Sequence, residues 1–190
     1  MTALKKPAFI SIEEYLAGEE ESEVKHEYLG GAVHAMAGAT IAHNSVATAA
    51  TVALGMQLRG KPCGPFNSDT KIRIEYADHT RFYYPDAMVV CDSNPPGDHF
   101  QDRPVVIIEV LSESTRRTDM GEKRDAYLTI PTLKVLLLVE TDKPSVTVYR
   151  RKPGLGFESE LHEGMDAVIP LPEIEAELSL AELYERVSRP

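Results

Sequence analysis

Tyr84-Pro85-Asp86-Ala87-Met88-Val89-Val90-Cys91 and, after a loop, Val105-Val106-Ile107-Ile108-Glu109-Val110-Leu111 decide how this chain is read. Each is an apolar run of the length of a buried β-strand, and each carries one carboxylate, Asp86 at the head of the first and Glu109 inside the second. A run that is apolar on both faces marks a central, fully covered strand. An ionised carboxylate in such a place is expensive, and the usual remedies are a cation, a protein donor or a raised pKa. Two carboxylates on neighbouring strands could share one divalent ion held by oxygen ligands. Lys123, a short way downstream, would then complete a hydrolytic site by orienting a metal-bound water and offsetting the charge that develops on an attacked phosphate.

The flanking sequence supplies the rest of an α/β pattern. Ser11 with Glu14 is a capping-box pair, so a short peripheral helix is predicted from Ile12 to the acidic run at 18–21. Residues 24–29 and 32–37 flank Gly30-Gly31, a two-residue hairpin turn, with Glu27 on the first strand. From residue 40 or 41 to about 58, Ile41, Val46, Ala50, Ala53, Leu54 and Met56 recur at helical spacing and predict the strongest helix of the chain. Residues 66–76 and 80–91 read as two long strands, 92–103 as a loop, 105–111 as the central strand and 118–128 as a helix. A strand at 133–140 and a partner around Val146 to Arg150 form a hairpin. Residues 157–161 and 167–169 add edge strands, and Ser179 with Glu182 opens a terminal helix to about Val187.

Composition narrows the classes. The chain has 190 residues, enough for one domain with a substantial core, and no apolar run long enough to cross a membrane. Met1-Thr2-Ala3-Leu4-Lys5-Lys6-Pro7 lacks the apolar centre of a secretion signal, and Cys63 and Cys91 are too few for a disulfide framework and read as core thiols. Both observations favour the cytoplasm. The net charge of -10, from 20 basic and 30 acidic residues, argues against a long phosphate-binding surface and leaves a small basic groove around Arg116-Arg117 and Lys123-Arg124.

Other chemistries lack their signatures. Ser112 and Ser114 have no G-x-S-x-G turn, no glycine-rich phosphate loop follows a predicted strand, and the six histidines show no H-E-x-x-H spacing. His43, with no second histidine at i+4, reads as a surface or core-edge residue rather than a ligand. On the residues alone the bland alternative stays open: Glu109 could pair with Lys123 or an arginine as a buried ion pair, and Asp86 could cap a turn or end its strand.

Lys25-His26-Glu27-Tyr28, the 35–43 segment, Tyr84-Pro85-Asp86, Glu109-Val110-Leu111-Ser112-Glu113-Ser114-Thr115, the Asp119-x-Gly121-x-Lys123-x-x-x-Tyr127 helix and Leu133-Lys134 occur in this order across most of the chain. In that order and spacing the sequence resembles the Uma-two family of restriction-endonuclease-like proteins in the PD-(D/E)XK nuclease superfamily. The resemblance implies one restriction-endonuclease-like domain over 1–190, an α/β (α+β mixed) fold with a mixed central sheet flanked by helices. It implies Asp86 and Glu109 as ligands of Mg²⁺ or Mn²⁺, the carbonyl of Val110 as a further ligand, and Glu27 as an additional metal or water contact. The superfamily's lysine stands two residues after the acidic one, where this chain has Leu111, so its role would move to Lys123. The expected activity is Mg²⁺-dependent endonucleolytic hydrolysis of DNA by a cytoplasmic homodimer. A catalytically silent DNA- or protein-binding module and a hydrolase of a small phosphorylated substrate are the alternatives.

Overall fold

Two chain corners, at residues 68–70 and 84–86, divide the strands between two sheets. The structure, a computed structural model, describes residues 9–113 and 116–187. The N-terminal stretch 1–7, and Ser114 and Thr115 of the expected strand end, lie outside the described residues.

Ser11 opens α1 (Ile12–Glu21) as the capping box predicts: its Oγ accepts the Glu14 N–H at 3.2 Å, and Glu14 Oε2 accepts the Ser11 N–H at 2.8 Å. The hairpin follows as β1 (His26–Leu29) and β2 (Ala32–Ala35). Both turn residues have positive φ, 59° at Gly30 and 100° at Gly31, the backbone that this tight turn demands and glycine adopts without strain. α2 (Ile41–Gln57) starts at Thr40, whose hydroxyl accepts the N–H of His43.

Where two long strands were predicted there are four. β3 (Gly64–Asn67) and β4 (Lys71–Glu75) are separated by a turn in which Asn67 Oδ1 accepts the Asp69 N–H at 3.1 Å. β5 (Thr80–Tyr83) and β6 (Ala87–Val90) are separated by Tyr84-Pro85-Asp86, because proline has no N–H to give to a ladder. The halves enter different sheets. A short β7 (Phe100–Gln101) lies inside the stretch read as loop, and β8 (Pro104–Leu111) is the buried strand expected. The helix read over 118–128 is α3 (Arg116–Thr118), a π turn at Asp119–Lys123 and α4 (Arg124–Leu128). Then come β9 (Val135–Glu140), β10 (Ser145–Lys152), β11 (Gly156–Glu163), β12 (Val168–Leu171), a 3₁₀ turn, β13 (Ala176–Ser179) and α5 (Leu180–Leu183). The terminal helix is therefore one turn rather than two, and β12 pairs with β13 in a separate ribbon instead of extending an edge.

The fold class is the mixed α/β expected, with its strands in more than one sheet. One sheet has the order β2-β1-β5-β4-β7 and the other β11-β10-β9-β8-β6-β3, in which β8 and β9 are parallel and the other neighbours antiparallel. Alternation along the strands sorts the core. Ala87, Val89, Val106, Ile108, Val110, Leu137 and Val139 face Val46, Ala47, Ala50 and Leu54 of α2, whose small side chains allow close packing. Met88, Val90, Ile107, Leu111, Leu136 and Leu138 face the opposite way, against Ile72 and Ile74 of β4, Tyr83 of β5, and Ala126 and Tyr127 of α4. Glu109 shares the parity of Ile107 and Leu111, so it points into this second layer.

The cysteines are a correction. Cys63 and Cys91, read as core thiols, form a disulfide. The antiparallel register of β3 and β6 sets Gly64 opposite Val90, which brings the next residue out on each strand, Cys63 and Cys91, face to face. Sequence spacing alone does not reveal this adjacency. No helix among the described residues is long and apolar enough to cross a membrane.

Candidate active site

The β6–β8 register decides where the carboxylates meet. Ala87 pairs with Ile108 and Met88 with Ile107, so continuing the ladder by one residue sets Asp86 opposite Glu109. Asp86 sits just beyond Pro85, at the corner where the chain passes from one sheet to the other, and its Oδ2 accepts the Val110 N–H at 2.7 Å. That bond fixes the carboxylate against β8.

Lys123 enters from the crossover between the parallel strands β8 and β9. Its Nζ lies 2.8 Å from Glu27 Oε1, 3.4 Å from Glu109 Oε1 and 3.6 Å from Asp119 Oδ1. Its residue is 6% exposed, Glu109 2% and Asp119 3%, so this is a buried ion cluster and not a surface network. Glu27 arrives from β1, which pairs with β5, and the Lys123 ammonium stands 5.8 Å from the centre of the Tyr83 ring on that neighbouring strand. The π turn holding Asp119 and Lys123 is an irregularity often found where helices carry function. Tyr127, one turn further on, donates its hydroxyl to Glu109 Oε1 at 2.6 Å.

Burial pushes the Glu109 carboxyl well above the ordinary carboxylate range; the Lys123 ammonium pulls it down, and the Asp86 and Asp119 charges push it up again. Burial opposes the charged form of Lys123, but Glu109, Glu27 and Asp119 together hold its pKa above the ordinary lysine value, so it remains an ammonium. Burial and then the charges of Glu109 and Glu27 raise the Tyr127 phenol far enough to keep it a donor.

All the residues singled out from the sequence converge here: Asp86, Glu109, Val110 and Lys123 line one cavity of about 430 Å³, and Glu27 touches it through Lys123. Two further residues belong to the site. His43, nine-tenths buried, places Nε2 3.3 Å from Asp86 Oδ2, and that contact raises its pKa against the opposing effect of burial. Read from the sequence as a surface or core-edge residue rather than a ligand, it is buried at the start of α2 and lines the cavity. Asp119 was visible as part of a motif, and its spacing of four from Lys123 on a helix was the signal that both share a face. Of the expected basic groove only part is described. Arg116 is paired with Glu140, Lys123 is enclosed by carboxylates, and Arg124 donates to Asp125; the side chain of Arg117 lies outside the described residues.

The donor chemistry suits a hard divalent cation. Asp86, Glu109 and the Val110 carbonyl offer oxygen, and Glu109 is a carboxylate whose pKa burial raises and Lys123 only partly lowers. Among the described residues, no three His, Cys, Asp or Glu side chains are arranged to hold a metal ion by themselves. An ion such as Mg²⁺ keeps several waters and is commonly bound through one or two carboxylates, so two opposed carboxylates and a carbonyl fit it.

Comparison with known proteins shows the family and the fold. A family model for Uma2, described as "Putative restriction endonuclease", matches residues 12–182. In Synechocystis sp. (strain ATCC 27184 / PCC 6803 / Kazusa), protein slr1290 is 34% identical over 143 residues, covering 75% of this chain and 74% of the relative. Protein sll1609 of the same organism is 30% identical over 143 residues, covering 74% of this chain and 80% of the relative. A crystal structure from Anabaena variabilis ATCC 29413, described as "a putative nuclease belonging to DUF820", shares the fold with a TM-score of 0.71 at 22% identity, covering 93% of this chain and 98% of the other. With the family match spanning both carboxylate strands, the hairpin of Glu27 and the lysine helix, the chain belongs to the Uma2 family.

Proposed function

We propose that this protein is a metal-dependent endonuclease that hydrolyses phosphodiester bonds in DNA, and that the whole of 1–190 forms its single restriction-endonuclease-like domain. The observation that carries the reading is the register that opposes Asp86 to Glu109 in the cavity that Lys123 also lines. Asp86, Glu109 and the Val110 carbonyl would hold Mg²⁺ or Mn²⁺. When bound, the cation polarises the phosphate and lowers the pKa of a water. Lys123 holds a fixed positive charge beside Glu109, where it offsets negative charge building on the attacked phosphate. Glu27 and Asp119 keep that ammonium oriented, and His43 with the Val110 N–H keeps Asp86 in place. Cytoplasmic action and pairing of two copies belong to the same proposal, homodimers being the commonest closed assemblies, but the Cys63–Cys91 disulfide removes the cysteine argument for the cytoplasm; a monomer in light scattering removes the pairing alone.

The test is calorimetric titration of Mn²⁺ and Mg²⁺ into the wild type and Asp86→Ala, with plasmid nicking and cleavage of a single-stranded oligonucleotide on the same samples. Binding and cleavage that both depend on Asp86 support the reading, and cleavage retained in Asp86→Ala sinks it. A silent binding module is the second reading, favoured by the enclosure of Lys123 among three carboxylates, which could serve stability alone. DNA binding without metal-dependent cleavage would select it.

A further inference from the structure

We propose that the strand entering this cavity is unpaired: the substrate is single-stranded DNA, with Lys25 holding a phosphate at the mouth. The inference rests on the endonuclease reading and adds the form of the nucleic acid.

Depth is the first argument. The side chains that would meet the reacting phosphate are sunk, with side-chain exposures of 16% for Asp86, 8% for Lys123 and 3% for Glu109. The cavity they share, about 430 Å³, is the size of a small-ligand pocket. It takes a nucleotide of a flexible strand. A stacked, paired nucleotide is carried on a stiff double helix and must be unstacked and unpaired before it can enter such a pocket, whereas an unpaired one is spared that cost.

The rim supplies the second. Val24 of the approach to β1 and Met36, Ala37 and Ala39 of the segment before α2 form an apolar lip, which suits the faces of unstacked bases. Charge supplies the third. The described lining holds Glu23, Asp86, Glu109 and Asp119 against Lys25 and Lys123. With a divalent cation held by Asp86 and Glu109 these charges balance, so the lining has no surplus of positive charge for the denser phosphates of a duplex, about one charge every 1.7 Å of axis against 3.4 Å for a single strand. Lys25 is the cation of the lip. It is 39% exposed, pairs with Asp69 at 2.5 Å, donates to the Ser68 carbonyl at 2.8 Å and stands 5.5 Å from the centre of the Tyr84 ring, next to Pro85 and Asp86. Exchanging the exposed Asp69 for a phosphate keeps its charge paired.

The experiment uses the full chain with Mn²⁺ and one end-labelled oligonucleotide, presented unpaired and annealed to its complement. Cleavage of the unpaired strand roughly tenfold or more faster than of the annealed one is expected, together with a rise in KM of roughly tenfold in Lys25→Ala that exceeds any fall in kcat. Equal or faster cleavage of the annealed form, or an unchanged KM in Lys25→Ala, overturns the inference and leaves the nuclease reading standing. Cleavage of neither DNA, with or without hydrolysis of a small aryl phosphodiester, overturns both.

Discussion

Tyr127 and Glu109 meet through one short contact: the Tyr127 hydroxyl donates at 2.6 Å to the same Glu109 oxygen that faces Lys123. Both residues are buried, and the Tyr127 hydroxyl has no access to bulk water in place of Glu109. Tyr127→Phe leaves the ring packed and removes only the donor. A loss of about 1–3 kcal/mol is expected, read from the urea midpoint with an unchanged slope. An unchanged midpoint would show that Glu109 does not depend on this donor.

Lys123 makes a larger demand. Lys123→Met deletes the cation beside Glu27, Glu109 and Asp119 and leaves them buried without it, at a cost of about 3–5 kcal/mol. Adding Glu27→Gln should recover part of that loss, because one stranded charge is gone. Thermal or urea unfolding of the two single variants and the double variant measures the coupling, and strict additivity would contradict a shared ion cluster.

The disulfide closes a loop between residues 28 apart in sequence. Replacing both cysteines by serine should lower stability by about 3–4 kcal/mol while leaving the fold intact, since the loss falls mainly on the unfolded chain. Alkylation followed by mass measurement gives the direct check: neither Cys63 nor Cys91 should be labelled until a reductant is added.

Alkaline pH should unfold the protein through its tyrosines. Burial pushes Tyr83 and Tyr184 up to about 12 from the ordinary 10.0. The folded state therefore holds these protons more tightly than the unfolded chain, and the sign follows: the stabilisation is complete below about pH 10 and is lost as pH rises through about 12, each tenfold tightening of proton binding contributing about 1.4 kcal/mol. Phenolate absorbance and circular dichroism recorded together should change in step over that window. Full ionisation of all tyrosines at their ordinary midpoint, with the dichroism intact, would falsify the burial argument.

Local signals were legible wherever one residue type has one physical use. The Ser11–Glu14 capping pair, the Gly30-Gly31 turn, the alanine-rich α2 and the apolar run of β8 were each written within a few residues. So were Asp86 and Glu109, because a carboxylate in an apolar strand is conspicuous. The division of residues 66–76 and 80–91 was harder to read, since apolar and β-branched residues continue close to each corner and pairing partners are set by distant strands. The same limit hid the disulfide and the place of His43, which depend on register between segments far apart in sequence. Asp119 lay between: its spacing from Lys123 was readable, its burial was not.

The crossover from β8 to β9 carries Lys123, and this makes the cluster a matter of timing as well as of geometry. Pairing between parallel neighbours must wait for the connecting segment to close. Until the 116–128 helix docks, Glu109 has neither Lys123 nor Tyr127 beside it. Lys123 therefore reaches its three carboxylates only when the crossover is in place, so the ion cluster and the β8–β9 pairing depend on the same connecting segment.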